Sequence, residues 1–151
     1  TSSMVAEVDD HSILLWLTSA STPCLSLYKP CFFDDYEGII FQEEQDSLAY
    51  WMRQEKIHRL IYSGNIQESL YRQELLLAQS RIDALVENEK KLGFPNRAQL
   101  VRDALSIEEE FLSQFEKKDV TISELGPKRW HKKNKSLGKD VFAKDWQSHQ
   151  S

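Results

Sequence analysis

Apolar residues in the first third of the chain fall into short runs that are typical of β-strands. Two of these runs, residues 3–8 and 13–17, are separated by the polar residues 9–11, whose composition is typical of a turn. A third run covers residues 25–33. The pattern therefore predicts three strands near the start of the chain.

The second run, Ile13-Leu14-Leu15-Trp16-Leu17, shows no alternation of apolar and polar residues. A strand with this pattern is usually covered on both faces, whereas a strand with one solvated face alternates. Three strands are few for a sheet that needs a layer on each side. Pro23 and Pro30 bracket the third run, so we expect both positions to lie at turns or at a sheet edge.

The middle of the chain predicts two helices with clear end signals. Asp46 can cap a helix that carries apolar residues at helical spacing and stops at Gly64. Asn65 is followed three residues later by Glu68, which resembles a capping box. The second helix then runs to Gly93, where another glycine ends it.

A third helix is predicted from Pro95 and Asn96 to about Phe115, because apolar residues recur at three- and four-residue steps. Ser106 followed by Glu109 is a second capping signal, so an interrupted helix is left open. The order helix, glycine, helix, glycine, helix predicts antiparallel neighbours. Strands followed by helices place the chain in the α+β class.

Charge divides the chain into three regions. Residues 1–45 carry a net charge of −7, residues 46–118 a net charge of −1 and residues 119–151 a net charge of +3. We interpret them as a strand region, a helical region and a basic, flexible C-terminal tail. The tail surrounds Trp130 and His131 with lysines and could bind nucleic acid, but a solvated end is the favoured interpretation.

The overall composition excludes several classes of protein. The chain has 151 residues, of which 40% are hydrophobic and 28% charged, and a net charge of −5. This acidity argues against general nucleic-acid binding, and no apolar run approaches the length of a membrane span. No leader-like segment follows Thr1. Cys24 and Cys31 are too few for a disulfide framework, and the sequence favours a cytoplasmic protein.

The strongest metal-like motif is the pair of Glu55 and His58, a single Glu-x-x-His. Carboxylate di-metal bundles need two such motifs and further carboxylates. Here we expect Glu55 to pair with Arg59 one turn later, and His58 to be packed or solvated. The five glycines are scattered, so no phosphate-binding loop is predicted. We predict no metal and no cofactor.

Two residues have the chemistry of a nucleophile. A Thr1 at a mature N-terminus could use its own amine as a base. Cys24 would need a base within hydrogen-bond reach, and His11 is the only nearby histidine in the sequence. The favoured interpretations are that Thr1 begins a part of a longer chain and that Cys24 is a buried structural cysteine.

Four segments resemble the motifs of a known family. Residues 1–6 read Thr-Ser-Ser-Met-Val-Ala, residues 16–18 read Trp-Leu-Thr, and residues 22–30 read Thr-Pro-Cys-Leu-Ser-Leu-Tyr-Lys-Pro. Residues 50–59 read Tyr-Trp-Met-Arg-Gln-Glu-Lys-Ile-His-Arg. They are similar to the "T-x-S-M-V", "W-x-T-G", "x-P-C-x-S-x-F-K-P" and "W-W-R-x-E-x-L-H-R" signatures of the secernin and cysteine-dipeptidase family. That family belongs to the N-terminal nucleophile (Ntn) hydrolases, and the resemblance covers roughly residues 1–62.

The resemblance implies that the chain is the C-terminal portion of such a hydrolase. The fold would be a four-layer αββα sandwich, whose second sheet would supply the missing neighbours of residues 13–17. The reaction would be amide hydrolysis of small peptides by an N-terminal Cys that lies upstream of this chain. Thr1 would match the strand and not the nucleophile. The chain departs from the family pattern at Ser19, where the family has Gly, and at Met52.

The resemblance also implies which part of a site this chain would contribute. The loop from Thr18 to Cys24 and the start of the first strand would form a wall of the substrate pocket, with Ser3, Thr18, Thr22 and Cys24 as candidate pocket residues and no catalytic residue. An equal alternative is that residues 23 and 24 only shape a turn and pack a core. The first helix would pack Trp51, Ile57 and Ile61 on the sheet.

A second class of function stays open, which is a non-catalytic helical module for protein interaction. Residues 65–118 would then form a bundle or coiled-coil surface, and the chain would form a homo-oligomer through its helices or capture a partner protein. Under the hydrolase hypothesis the partner is a small peptide substrate bound by the whole protein.

Overall fold

The computed structural model describes residues 3–8, 13–18, 20–32 and 44–116, with no account of the side chains of residues 44–46. These residues form a three-stranded antiparallel sheet followed by three helices, which confirms the α+β class. The elements are β1 (Ser3–Val8), β2 (Ile13–Thr18), a short 3-10 turn (Pro23–Leu25), β3 (Lys29–Phe32), α1 (Glu44–Tyr62), α2 (Glu68–Lys91) and α3 (Arg97–Phe115). The predicted tail at 119–151, Thr1, His11 and Ser19 lie outside the described residues.

The sheet has the order β1-β2-β3, and both of its strand pairs are antiparallel. β1 faces β2 from Ser3 opposite Thr18 to Val8 opposite Ile13. β2 continues to β3, where Leu14 lies opposite Phe32. Residues opposite each other share a face and successive residues alternate, so this register fixes both faces of the sheet.

The inner face of the sheet contributes to the core. Leu14 and Phe32 are each 2% exposed, and Trp16 packs partly against the same cluster. The Trp16 indole donates a 2.8 Å hydrogen bond to Glu7 on β1. This face is therefore the one that the helices cover.

The opposite side of the sheet, which we call the outer sheet face, is apolar and largely open. Met4 is 62% exposed, Val8 72% and Ile13 45%. On the inner face of β2 Leu14 and Thr18 are buried, whereas on the outer face Ile13 is exposed and Leu15 and Leu17 are half-buried. The second cover expected for this strand is therefore incomplete among the described residues. The outer sheet face consists of Met4, Ala6, Val8, Ile13, Leu15, Leu17, Lys29 and Cys31.

The third strand is shorter than its apolar run predicted. Residues Pro23–Leu25 form a 3-10 turn in which the Leu25 amide donates to the Thr22 carbonyl at 3.1 Å. A proline is favoured in the first turn of a helix because its missing N–H would have no partner there. Strand pairing therefore starts only at Lys29.

Both predicted glycine stops are confirmed. Gly64 and Gly93 each have a φ of 76°, a left-handed conformation that favours glycine. At each stop the two amides from the glycine onward bond back to carbonyls of the last turn, as in a Schellman motif. The Gly64 amide donates to the Ile61 carbonyl at 2.9 Å, and the Gly93 amide donates to the Lys90 carbonyl at 3.1 Å. The two glycines therefore set the ends of α1 and α2.

The helix starts agree with the sequence only in part. The Asn96 side chain accepts a 3.2 Å bond from the Gln99 amide, which confirms the predicted start of α3. Two predicted caps are wrong. The helix α1 begins at Glu44, before the predicted cap Asp46. The helix α2 begins at Glu68, and the side-chain amide of Asn65 donates to the Ser63 hydroxyl instead of forming a capping box. α3 is continuous, so the break left open at residue 106 does not occur.

The helix that packs most closely on the sheet is α3, which contacts β3. α2 and α3 form the expected hairpin, and α1 packs against α3. The prediction that α1 packs Trp51, Ile57 and Ile61 on the sheet is supported for two of these residues, which share one core cluster with Leu14 and Phe32 of the sheet. Ile57 and Ile61 are buried in the common core, and Trp51 is half-buried. The periodicity of α1 identified an apolar face but not its partner.

Aromatic rings fill the centre of the helical layer. Tyr71 of α2 lies 5.2 Å from Phe111 and 4.9 Å from Phe115, ring centre to ring centre. Phe94, in the turn before α3, meets Phe32 of the sheet edge to face at 5.1 Å. The Tyr71 contacts join α2 to α3, and the Phe94 contact joins the turn between these helices to the sheet. Within the described ranges, no helix has an apolar stretch long enough to cross a membrane.

Candidate functional site

The loop that joins β2 to β3 holds two of the predicted pocket residues. We call residues 20–28 the β2–β3 loop. Its centre is the 3-10 turn, and Ser26 closes the turn by donating a 2.9 Å side-chain bond to the Thr22 carbonyl. Leu25 and Leu27 are each 2% exposed. Alternating buried leucines and local hydrogen bonds therefore hold the loop in one conformation.

Three side chains on one face of α1 form hydrogen bonds to this loop. Glu55, His58 and Tyr62 follow each other at steps of three and four residues, so their side chains lie on the same side of the helix. Each contacts a different loop residue. The three pairs are Ser21 with Glu55, Thr22 with Tyr62, and Leu25 with His58.

The His58 contact is fully buried. The imidazole is 1% exposed, and its Nε2 atom lies 3.0 Å from the Leu25 carbonyl oxygen. A carbonyl can only accept, so Nε2 carries the proton in this bond. Burial lowers the pKa of His58, with opposing contributions from Leu25 and Glu55. His58 therefore acts here as a neutral donor to the loop backbone.

Helix α2 binds the same stretch of loop. The Tyr71 hydroxyl donates to the Leu25 carbonyl at 2.7 Å, so that oxygen accepts from two helices. Burial first, and the charge of Glu108 second, raise the pKa of Tyr71 well above its usual range. Gln79 brackets Tyr28, accepting from its amide at 2.9 Å and donating to its carbonyl at 3.2 Å. The loop is therefore clamped between α1 and α2.

Two of the predicted pocket residues, Ser3 and Thr18, are in direct contact. The Ser3 amide donates to the Thr18 hydroxyl at 3.1 Å, and the Tyr28 hydroxyl donates to the Ser3 hydroxyl at 3.0 Å. Thr18 is only 2% exposed. In this chain Thr18 therefore supports the start of β1, and Ser3 is the more accessible of the two.

The other two predicted pocket residues, Thr22 and Cys24, share the 3-10 turn. Cys24 is exposed, so the interpretation as a buried structural cysteine is wrong. Arg72 of α2 donates to the Cys24 carbonyl at 3.3 Å. No histidine bonds to the Cys24 thiol among the residues that the structure describes, and His11, the base named from the sequence, lies outside them.

The Glu55–His58 pair is used for structure. Glu55 accepts from Ser21 and from Arg59, whose Nε lies 2.9 Å away, and this confirms the expected i,i+4 ion pair. The side chains of Glu55 and Arg59 in this ion pair are only 12% and 13% exposed. Across the described ranges, no group of three potential metal ligands is present.

A buried ion pair next to this region was missed at the sequence level. The Lys29 ammonium lies 2.5 Å from a carboxylate oxygen of Glu108, and the two side chains are 5% and 4% exposed. Tyr50 of α1 donates to the other carboxylate oxygen. The available signal was that Glu108 lies at an apolar position of α3, in step with Val101, Ala104 and Phe111. The pair connects the first residue of β3 to α1 and α3.

A scan against models of protein families, a search of curated proteins and a search of solved structures each found no match to this chain. The described residues therefore define a class only by their geometry, which is a small antiparallel sheet backed by a helical layer, with one clamped loop and one open apolar face.

Proposed function

We propose that this chain is the C-terminal portion of a secernin-like Ntn hydrolase, a thiol-dependent dipeptidase or amide hydrolase that acts on small peptides. The proposal begins from the four motifs in residues 1–62, which occur in the family's order. The longer protein, which we call the parent protein, would carry the catalytic Cys upstream.

The observation that carries the proposal is that the four motif segments contact one another. Residues 3–5 of the first motif lie in β1 and pair with the second motif, residues 16–18, in β2. The third motif forms the β2–β3 loop, and the fourth motif, on α1, bonds to that loop through Glu55 and His58. The four segments therefore lie side by side in one part of the fold. This arrangement is what a shared pocket wall requires, and it supports the proposal in that sense.

The outer sheet face supports the sandwich part of the proposal. The exposed residues of this face are all apolar, and its charged residue Lys29 is buried against Glu108. Exposed apolar patches of this kind mark surfaces that another element covers. Covering one large aliphatic side chain contributes about 1.5–3 kcal/mol. A second sheet of the parent protein would bury Met4, Val8 and Ile13 together, as two sheets do in a face-to-face sandwich.

In the proposed reaction this chain binds substrate and supplies no reacting atom. The α-amine of the upstream N-terminal Cys would take the proton of its own thiol as the sulfur attacks the peptide carbonyl. The resulting ammonium would give that proton to the departing amine as the C–N bond breaks, and water would then hydrolyse the thioester and restore the thiol. The β2–β3 loop would form one wall of the pocket. Ser3, Thr22 and Cys24 are the accessible polar groups on that side, and Thr18 supports Ser3 from below.

The test is hydrolysis of a panel of unblocked dipeptides by the parent protein, with this chain alone as the comparison. We expect the parent protein to release free amino acids, to lose this activity when its first Cys is changed to Ala, and to be blocked by thiol alkylation. The chain alone should be inactive. Hydrolysis by the chain alone, or an intact activity after the Cys change, would refute the proposal.

A specific observation favours the alternative of a helical interaction module. Leu70, Leu76 and Leu77 of α2 are 48%, 68% and 55% exposed. Leu70 and Leu77 are one heptad apart, a spacing typical of helix–helix contacts. Light scattering after gel filtration separates the two proposals. A dimer that Leu70→Gln and Leu77→Gln convert to a monomer would support the module, and a monomeric chain would count against it.

A further inference from the structure

The contacts between α1 and the β2–β3 loop carry a consequence for the proposed pocket. Three side chains from one helix face hold three loop residues, and each contact is made by the end of a side chain that reaches across from α1. We infer that Glu55, His58 and Tyr62 are positioning residues that set the shape of the loop and thereby the substrate affinity of the proposed site. This inference rests on the proposed function.

The middle contact fixes the loop backbone. The Leu25 carbonyl accepts from His58 at 3.0 Å and from Tyr71 at 2.7 Å, and both donors are buried. The Leu25 peptide group therefore cannot rotate without leaving two buried donors, His58 and Tyr71, without a partner. The peptide that follows Cys24 is therefore the fixed point of the loop.

The outer two contacts fix the side of the loop that carries the pocket residues. Glu55 accepts from the hydroxyl of Ser21, and the Tyr62 hydroxyl lies 3.3 Å from the hydroxyl of Thr22. Tyr62 is 53% exposed, so this contact lies at the rim. Thr22 and Cys24 thus stand between a buried contact at Leu25 and a surface contact at Tyr62. Loss of either contact would allow the exposed edge of the loop to shift.

A displaced β2–β3 loop should change substrate binding more than the rate of the chemical step, because the reacting thiol belongs to another part of the parent protein. Uniform loss of substrate contacts raises KM and leaves kcat unchanged. We expect Glu55→Leu and Tyr62→Phe in the parent protein each to raise KM for a dipeptide about three- to tenfold, with kcat within about twofold of wild type. A purely structural role would lower kcat and the amount of folded enzyme together.

The conservative variant gives the sharpest control. Glu55→Gln keeps a side-chain carbonyl that can accept from Ser21, so it should restore most of the affinity that Glu55→Leu loses. Arg81→Gln, which breaks an exposed ion pair with Glu110 on the far side of α2, should change neither KM nor kcat. His58→Gln tests the buried contact but can impair folding, so Tyr62→Phe at the rim is the variant that decides.

Hydrogen exchange of the same variants reports on the loop without any activity. The Leu25 and Ser26 amides, which bond within the 3-10 turn, should exchange at least about tenfold faster in Glu55→Leu and Tyr62→Phe than in wild type. Unchanged exchange would overturn the inference at its first step. Faster exchange with an unchanged KM in an active parent protein would overturn it while the proposed function stands. A parent protein without dipeptidase activity would refute the proposed function itself.

Discussion

The buried ion pair of Lys29 and Glu108 offers the clearest energetic test of the fold. Both side chains are at most 5% exposed, and Tyr50 donates to the same carboxylate. Removing one partner of a buried pair leaves an uncompensated charge and typically costs about 3–5 kcal/mol. We therefore expect Lys29→Met to lower the free energy of unfolding by about 3 kcal/mol or more. That is a large fraction of the stability of a domain this size.

A double variant separates the cost of the unpaired charge from a general loss of packing. Glu108→Gln removes the charge but keeps an oxygen that accepts from Tyr50. Lys29→Met with Glu108→Gln should therefore regain at least about 2 kcal/mol relative to Lys29→Met, because neighbouring sites in one network are strongly coupled.

The assay is urea unfolding followed by far-ultraviolet circular dichroism and tryptophan fluorescence in parallel. Arg81→Gln serves as the matched control, since its ion pair with Glu110 is more than half exposed and should contribute no more than about 1 kcal/mol. A Lys29→Met variant that loses less than about 1 kcal/mol would refute this reasoning. So would a double variant whose loss equals the sum of the two single losses.

Three further predictions concern pH, a helix cap and the aromatic core. Burial lowers the pKa of His58, which faces Glu55 on its own helix and Tyr71 on α2, so the unfolded chain binds a proton there that the folded chain resists. The stability of the fold should then be fully present above the ordinary histidine pKa of about 6.5 and decline as the pH falls below it, and His58→Gln should flatten this decline in thermal melts between pH 7 and pH 5. Asn96→Ala should cost about 1 kcal/mol through the lost cap, whereas Asn96→Ser should keep most of it in the same urea assay. Phe111→Ala should cost about 3–5 kcal/mol, with Phe111→Leu clearly milder, and equal losses would contradict the packing described for this ring.

The helical part of the fold follows from local signals. A glycine that must adopt a left-handed conformation ends a helix whatever lies around it, so Gly64 and Gly93 gave the right boundaries. The apolar spacing in residues 97–115 gave α3 in the same way. The prediction of a cap at Asn65 failed because a local partner competes for the same side chain, whose amide donates to the Ser63 hydroxyl two residues earlier.

The partners of each element could not be predicted, since they depend on contacts between distant residues. Periodicity identifies an apolar face on α1 but cannot tell the sheet from α3 as its neighbour. The burial of Lys29 likewise depends on Glu108, which lies 79 residues later in the chain. The apolar residues 13–17 correctly predicted a strand. The described residues cover only part of the outer face of this strand, although its sequence pattern is typical of a strand covered on both faces. That mismatch is what the hydrolase sandwich would resolve.

The resemblance predicts which residues would line a pocket, and the structure adds how those residues are held. Motif resemblance gave Ser3, Thr18, Thr22 and Cys24, and the structure brings the first two into contact and puts the other two in one turn. The clamp from α1 was not predicted, because it needs the three-dimensional distance between a loop and a helix. Its sequence signal was the spacing of the polar residues at 55, 58 and 62 along one helix face.

The account depends most on whether the outer sheet face is covered in the parent protein, and its two cysteines provide the measurement. Cys31 lies on that face and is half-buried, and burial raises the pKa of its thiol, whereas Cys24 is exposed in the β2–β3 loop. Alkylation of each thiol, quantified by peptide mass spectrometry, should be at least about tenfold slower for Cys31 in the parent protein than in this chain alone, because thiol reactivity follows access. Cys24 is not on that face and serves as the internal reference. A ratio of Cys31 to Cys24 labelling that is the same in both proteins would contradict the proposed sandwich.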